Sequence, residues 1–129
     1  MKELFRDYPW EKLDDLGFSI FFGSAWVEVR VYPWGNDSII NTCSTVVIEA
    51  ELKPDLLEFL LRSNAKVQFG GFSLDTEGNI LFEHSIVGST CDQNEFEESA
   101  LAVLEVADDY DDRIFELWGG KLGLNILPQ

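Results

Sequence analysis

Positive charge is what this chain has least of. Nine Lys and Arg stand against 24 Asp and Glu, a formal net charge of −15. A protein that grips DNA or RNA needs basic residues to displace counterions from phosphate, so this balance argues against a nucleic-acid partner. The same field disfavours an anionic membrane surface; it favours solubility and steers basic partners inward. Cysteine and histidine are scarce too. Cys43 and Cys91 stand far apart without a Cys-x-x-Cys, and with His84 as the only histidine they lack the four-ligand spacing that zinc asks for. They are expected to be free thiols, since a disulfide between them would need Cα atoms within roughly 7 Å. Long apolar runs are missing as well. MKELFRDYPW lacks the unbroken apolar stretch of a signal peptide, and Phe18 to Val31 is interrupted by Gly23, Glu28 and Arg30. A soluble, cytoplasmic protein is expected.

Catalytic signatures are equally thin. There is no Gly-x-Ser-x-Gly elbow and no glycine loop built to cradle phosphate. His84 has Glu83 and Ser85 as chain neighbours, but adjacent strand residues point to opposite faces, so neither sits beside its ring. A structural or surface histidine is the expectation.

What is present is enough for one packed domain over residues 1–129. The hydrophobic share is 46% and the aromatic share 13%, and a chain of this length buries roughly two thirds of its unfolded surface. Pro9 and Gly17 frame a short helix over Trp10 to Leu16, and Phe18 to Phe22 reads as a strand. Ala25 to Trp34 alternates with period two: Val27, Val29 and Val31 point one way, and Trp26, Glu28, Arg30, Tyr32 and Trp34 the other. Gly35-Asn36-Asp37 is a turn, and Thr42 to Leu52 a third strand with Val46, Ile48, Ala50 and Leu52 on one face. Pro54 opens a helix to about Ser63 with Leu56, Leu57, Leu60 and Leu61 as its apolar stripe, which Asn64 closes in the left-handed conformation. Lys66 to Leu74 reads as a strand with a bulge at Gly70-Gly71. Asp75 to Asn79 forms a hairpin loop around Gly78, and Ile80 to Val87 returns as a strand. Asp92 and Glu95 match a capping box. The helix after it runs to roughly Trp118, carries a seam from Phe96 through Ala100, Val103, Ala107, Tyr110 and Ile114 to Leu117, and stops at Gly119-Gly120. The order is α-β-β-β-α-β-β-α, an α+β chain.

That order, together with LLEFLLRSNAKVQFGGFSLDTEGNILFEHSI and the tail ALAVLEVADDYDDRIFELWGG, resembles the YbjN family and the wider type III secretion chaperone-like fold. The likeness runs from about Val29 to Gly120; the first helix is shorter here than the opening helix of secretion chaperones. The resemblance implies a mostly antiparallel sheet of about five strands with helices packed on it, often as a homodimer. It also implies no enzymatic activity and no cofactor. Secretion chaperones use apolar patches to hold an extended segment of a client protein.

Three sets of residues are candidates for function. Glu105, Asp108, Asp109 and Asp112 share one helical face by three- and four-residue spacing, and carboxylates so placed suit Mg²⁺ or Ca²⁺. The plainer reading is a solvated face partly neutralised by Arg113. Trp26, Tyr32 and Trp34 form an aromatic stripe that, if uncovered, marks a protein-binding surface. Leu101, Leu104, Phe115 and Trp118 make a second apolar set on the last helix, facing the sheet or a second subunit. The sequence therefore favours a non-enzymatic module that binds client or regulatory protein. The competing readings are a metal-dependent enzyme on the carboxylate face and a small-molecule sensor with a pocket between sheet and helices.

Overall fold

Period-two alternation between Ala25 and Trp34 becomes the spine of an antiparallel sheet. The computed structural model describes residues 10–14, 17–22, 25–67 and 69–123. In chain order these form β1 (Trp10–Asp14), β2 (Gly17–Phe22), β3 (Ala25–Trp34), β4 (Asp37–Ile48), α1 (Pro54–Asn64), β5 (Gly71–Leu74), β6 (Ile80–Val87), α2 (Gln93–Trp118) and β7 (Lys121–Leu122). The sheet runs β1-β2-β3-β4-β6-β5, and β7 pairs with the end of β4. The α+β class and the antiparallel sheet carrying two helices agree with the sequence reading. The five expected strands are β2 to β6, and β1 and β7 are additions.

The first helix is a correction. Trp10 to Asp14 is a strand, with Trp10 opposite Ile20 and Lys12 opposite Phe18 on β2. An isolated helix of that length is marginal in water, and pairing with β2 gives the same backbone groups a ladder instead. Gly17 is no helix cap but a strand residue, where a Cβ would come 3.1 Å from the Val29 carbonyl. Pro9 and the end of the expected helix at Leu16 lie outside the described residues.

Other boundaries shift for local reasons. Gly35, at φ 57, lets a two-residue turn close the β3–β4 hairpin, so β4 starts at Asp37 rather than Thr42. Between Thr45 and Val47 the register against β6 slips by one residue, and Val46, Val47 and Ile48 are all buried in succession. Leu52 does not share their face; it is outside the strand and exposed. Of the strand expected over Lys66 to Leu74, the described residues form one at Gly71–Leu74 alone, so Gly70 stands just before the strand instead of at a bulge inside it. Gly70 sits at φ +86, where a Cβ would meet the Glu83 carbonyl oxygen at 2.6 Å.

Helix α2 starts where expected. The Asp92 side chain accepts from the Glu95 N–H at 2.7 Å, and Gly119 ends the helix at φ 74. Phe96, Ala100, Val103, Leu104, Ala107 and Ile114 are buried against Ile20, Val27, Val29 and Phe82 of the sheet. Small side chains at 100 and 107 let the helix axis approach closely, and each large apolar side chain buried there contributes about 1.5–3 kcal/mol. Aromatic rings tie α1 to this core: Phe59 lies 5.9 Å from Tyr110 and 5.2 Å from Trp118, while Phe72 lies 5.1 Å from Tyr110. Arg113 stacks over Tyr110 at 4.7 Å, spending its charge on a ring.

Candidate functional site

The register fixes which side chains of β3 face away from the helices. Val27 and Val29 are buried under α2, so Trp26, Glu28, Arg30, Tyr32 and Trp34 take the other face. The three aromatics on it do not form one patch. Trp26 is 3% exposed, whereas Tyr32 is 47% and Trp34 56% exposed. Polar residues separate them: Arg30 pairs with Glu28 at 3.3 Å, and the Asn41 amide donates to Ser85 at 2.9 Å. Cys43 sits opposite Glu28 on β3 and Glu83 on β6. Burial, reinforced by the Glu83 carboxylate, pushes its thiol up to about 12. Cys91 is the other free thiol, raised first by burial and then by Glu95.

At the edge of the sheet, β5 meets the end of α1. Asn64 does not close the helix in a left-handed conformation: Ala65 follows it at φ −74, within the right-handed region. The Asn64 side chain reaches β5 instead. Its oxygen accepts from the Phe72 N–H at 2.6 Å and its nitrogen donates to the Phe72 carbonyl at 3.3 Å. Both backbone groups of Phe72 therefore point away from β6, and antiparallel alternation turns those of Leu74 the same way. Beside them lies an apolar hollow of about 140 Å³ between α1 and β5, floored by Leu60 and Phe72. Leu57 (41% exposed), Leu61 (72%) and Leu74 (42%) form its rim. The sequence reading put all four α1 leucines in one stripe. Leu56 and Leu60 alone are buried, and four leucines at 56, 57, 60 and 61 cover a wider arc than one packed seam uses, which is the signal in the sequence for this surface.

A larger groove, about 570 Å³, lies between α2 and Lys66, Val67 and Phe69. Val67, Phe69, Leu101, Ala102, Val106 and Tyr110 give it apolar walls. Glu98, Glu105 and Asp109 line it as well, with Lys66 as the basic residue. The acidic face read from the sequence is thereby divided. Glu105 and Asp109 turn to the groove, Asp112 is exposed elsewhere on the helix, and Asp111 is buried at 2% exposure. Among the described residues no group of three or more His, Cys, Asp and Glu side chains is placed to hold a metal ion. The set Glu105, Asp108, Asp109 and Asp112 thus does not converge. Of the second apolar set, Leu104 is fully buried and Phe115 is 43% exposed.

His84 faces α2, where its Nδ1 lies 2.6 Å from the hydroxyl of the buried Ser99 and Phe69 meets its ring edge-on at 5.7 Å. Burial lowers its pKa from the ordinary histidine value. The arrangement fastens helix to sheet. Among the described residues, no helix is long and apolar enough to cross a membrane.

Residues 1–125 match the family model described as T3SS (YopN, CesT) and YbjN peptide-binding chaperone 1. No curated protein matches the chain.

Proposed function

We propose, for a chain that belongs to the type III secretion (YopN, CesT) and YbjN peptide-binding chaperone family, that it holds an extended segment of a client protein along the β5 edge and catalyses no reaction. One observation carries the reading: a side-chain amide occupies the pairing position of Phe72. A carboxamide offers the same donor and acceptor as a peptide bond, so an incoming strand can take its place and continue to Leu74. Alternate side chains of that strand would reach the hollow rimmed by Leu57, Leu61 and Leu74, which supplies the apolar component of binding.

The test uses a short fluorescein-labelled peptide of alternating Leu and Ser residues, followed by anisotropy. Saturable binding is expected, weakened by at least about ten-fold in Leu57→Glu/Leu61→Glu. The same peptide N-methylated at every residue has no backbone donors for the edge. Equal binding of the methylated peptide sinks the strand-addition reading.

The exposed pair Tyr32 and Trp34 favours a second use of the sheet, self-association into a homodimer through the face opposite α2. Large exposed aromatics are characteristic of interface centres. Light scattering on Tyr32→Ala/Trp34→Ala reads this directly, with a monomer expected if that face joins two copies.

A further inference from the structure

We propose that the groove between α2 and the residues Lys66, Val67 and Phe69 is a second docking surface, and that its occupant is a client segment in which basic and apolar residues interleave. It lies apart from the β5 edge and does not depend on strand addition there.

The groove combines two features that call for opposite halves of such a partner. Val67, Phe69, Leu101 and Val106 present apolar surface, with Phe69 42% exposed beside its edge contact with His84. Glu98, Glu105 and Asp109 add three carboxylates against the single ammonium of Lys66. A purely apolar segment would leave these carboxylates facing an uncharged partner, and a purely basic one would leave the ring and aliphatic walls wet. An acidic segment, including most of a second copy of this chain at net charge −15, is repelled. Charge complementarity selects the basic apolar occupant.

Spacing narrows it further. Seven residues separate Glu98 from Glu105 and four separate Glu105 from Asp109, about 10 Å and about 6 Å along a helix. An extended peptide advances about 3.3 Å per residue. Basic side chains at every second position, about 6.6 Å apart on one face of the peptide, would run along the row of three carboxylates, with the apolar residues between them directed at Val67, Phe69, Leu101 and Val106.

The probe is a fluorescein-labelled peptide of interleaved Lys and Leu, with a Lys/Ser peptide of equal charge as comparison. Glu98→Gln/Glu105→Gln/Asp109→Asn removes the groove charge at exposed positions; Glu51→Gln/Glu77→Gln/Glu116→Asn removes the same number of exposed charges elsewhere. The unaltered protein is expected to bind the Lys/Leu peptide at least about ten-fold more tightly than the Lys/Ser peptide. The groove variant should lose that affinity by about the same factor and the control variant keep it. Binding by the groove variant equal to the parent, or equal loss in both variants, overturns the proposal and reduces the effect to the general acidity of the surface. The N-methylated Leu/Ser peptide that tests the β5 edge carries no charge, so either site can fail without the other.

Discussion

The side chain of Asn64 and the backbone of Phe72 exchange two hydrogen bonds, so the end of a helix closes the edge of a sheet. Asn64→Ala leaves a donor and an acceptor of β5 unmet by protein, and a loss of about 1–3 kcal/mol is expected in urea denaturation. Asn64→Asp keeps the acceptor for the Phe72 N–H and should lose less. The Ala variant should also bind the Leu/Ser peptide more tightly, because the competitor for the pairing position is gone. Unchanged stability and unchanged binding would remove Asn64 from any role at the edge.

Gly70 and Gly35 both have positive φ, at +86 and +57, yet they should respond differently to alanine. At Gly35 a Cβ meets nothing within 4 Å, so Gly35→Ala carries only the left-handed backbone cost of about 1–2 kcal/mol. At Gly70 the same Cβ runs into the Glu83 carbonyl, and β5 must move to admit it. Gly70→Ala should therefore lose about 1–3 kcal/mol more than Gly35→Ala, read from the denaturation midpoints. Equal losses would show that β5 yields freely.

The lowered pKa of His84 gives stability a direction with pH. Burial favours the neutral ring, so the folded state binds its proton less readily than the unfolded chain. This contribution is complete above the unfolded value near 6.5 and is lost as pH falls through the lowered folded value. Melting temperatures between about pH 7.5 and about pH 5.5, above the range where ordinary carboxylates titrate, should fall more steeply for the parent than for His84→Gln. Parallel slopes would mean that the ring is solvated in the folded state.

Three aromatics of one strand face should separate by burial. Trp26→Ala removes a side chain that is 3% exposed, and a loss of about 3–5 kcal/mol is expected. Tyr32→Ala and Trp34→Ala should stay within about 0.5 kcal/mol of the parent while weakening self-association. Chemical denaturation and sedimentation together check both halves. A Trp34→Ala variant that is markedly destabilised would place Trp34 in the core instead of on an interface.

Much of this fold was legible because its signals are local. Asp92 with Glu95 and the Gly119-Gly120 pair bracket α2, and Ile80 to Val87 has the bounds its alternation implies. What escaped depends on partners distant in the chain. Trp10 to Asp14 carries helix-like flanks, and only pairing with β2 makes it a strand. Asn64 has the residue type of a helix terminator, yet its amide is used eight residues later on Phe72. Alternation put Trp26, Tyr32 and Trp34 on one face correctly, but period two says nothing about which part of a face is covered. The carboxylates of α2 share a helical face by spacing, while in the fold Lys66, Val67 and Phe69 divide them between a groove and open solvent.

The slip between Thr45 and Val47 makes β4 a strand with two phases. Upstream of it, inward residues fall at even positions such as Thr42 and Ser44; downstream, Val47 is inward and pairs with both Ile80 and Leu122. Val46 is the residue that the slip adds. Without it Val47 would follow Thr45 as the next inward residue, still opposite Ile80 and Leu122, so its removal would leave the partners on either side in place. What the extra residue supplies is a local bend of β4 and one more buried side chain.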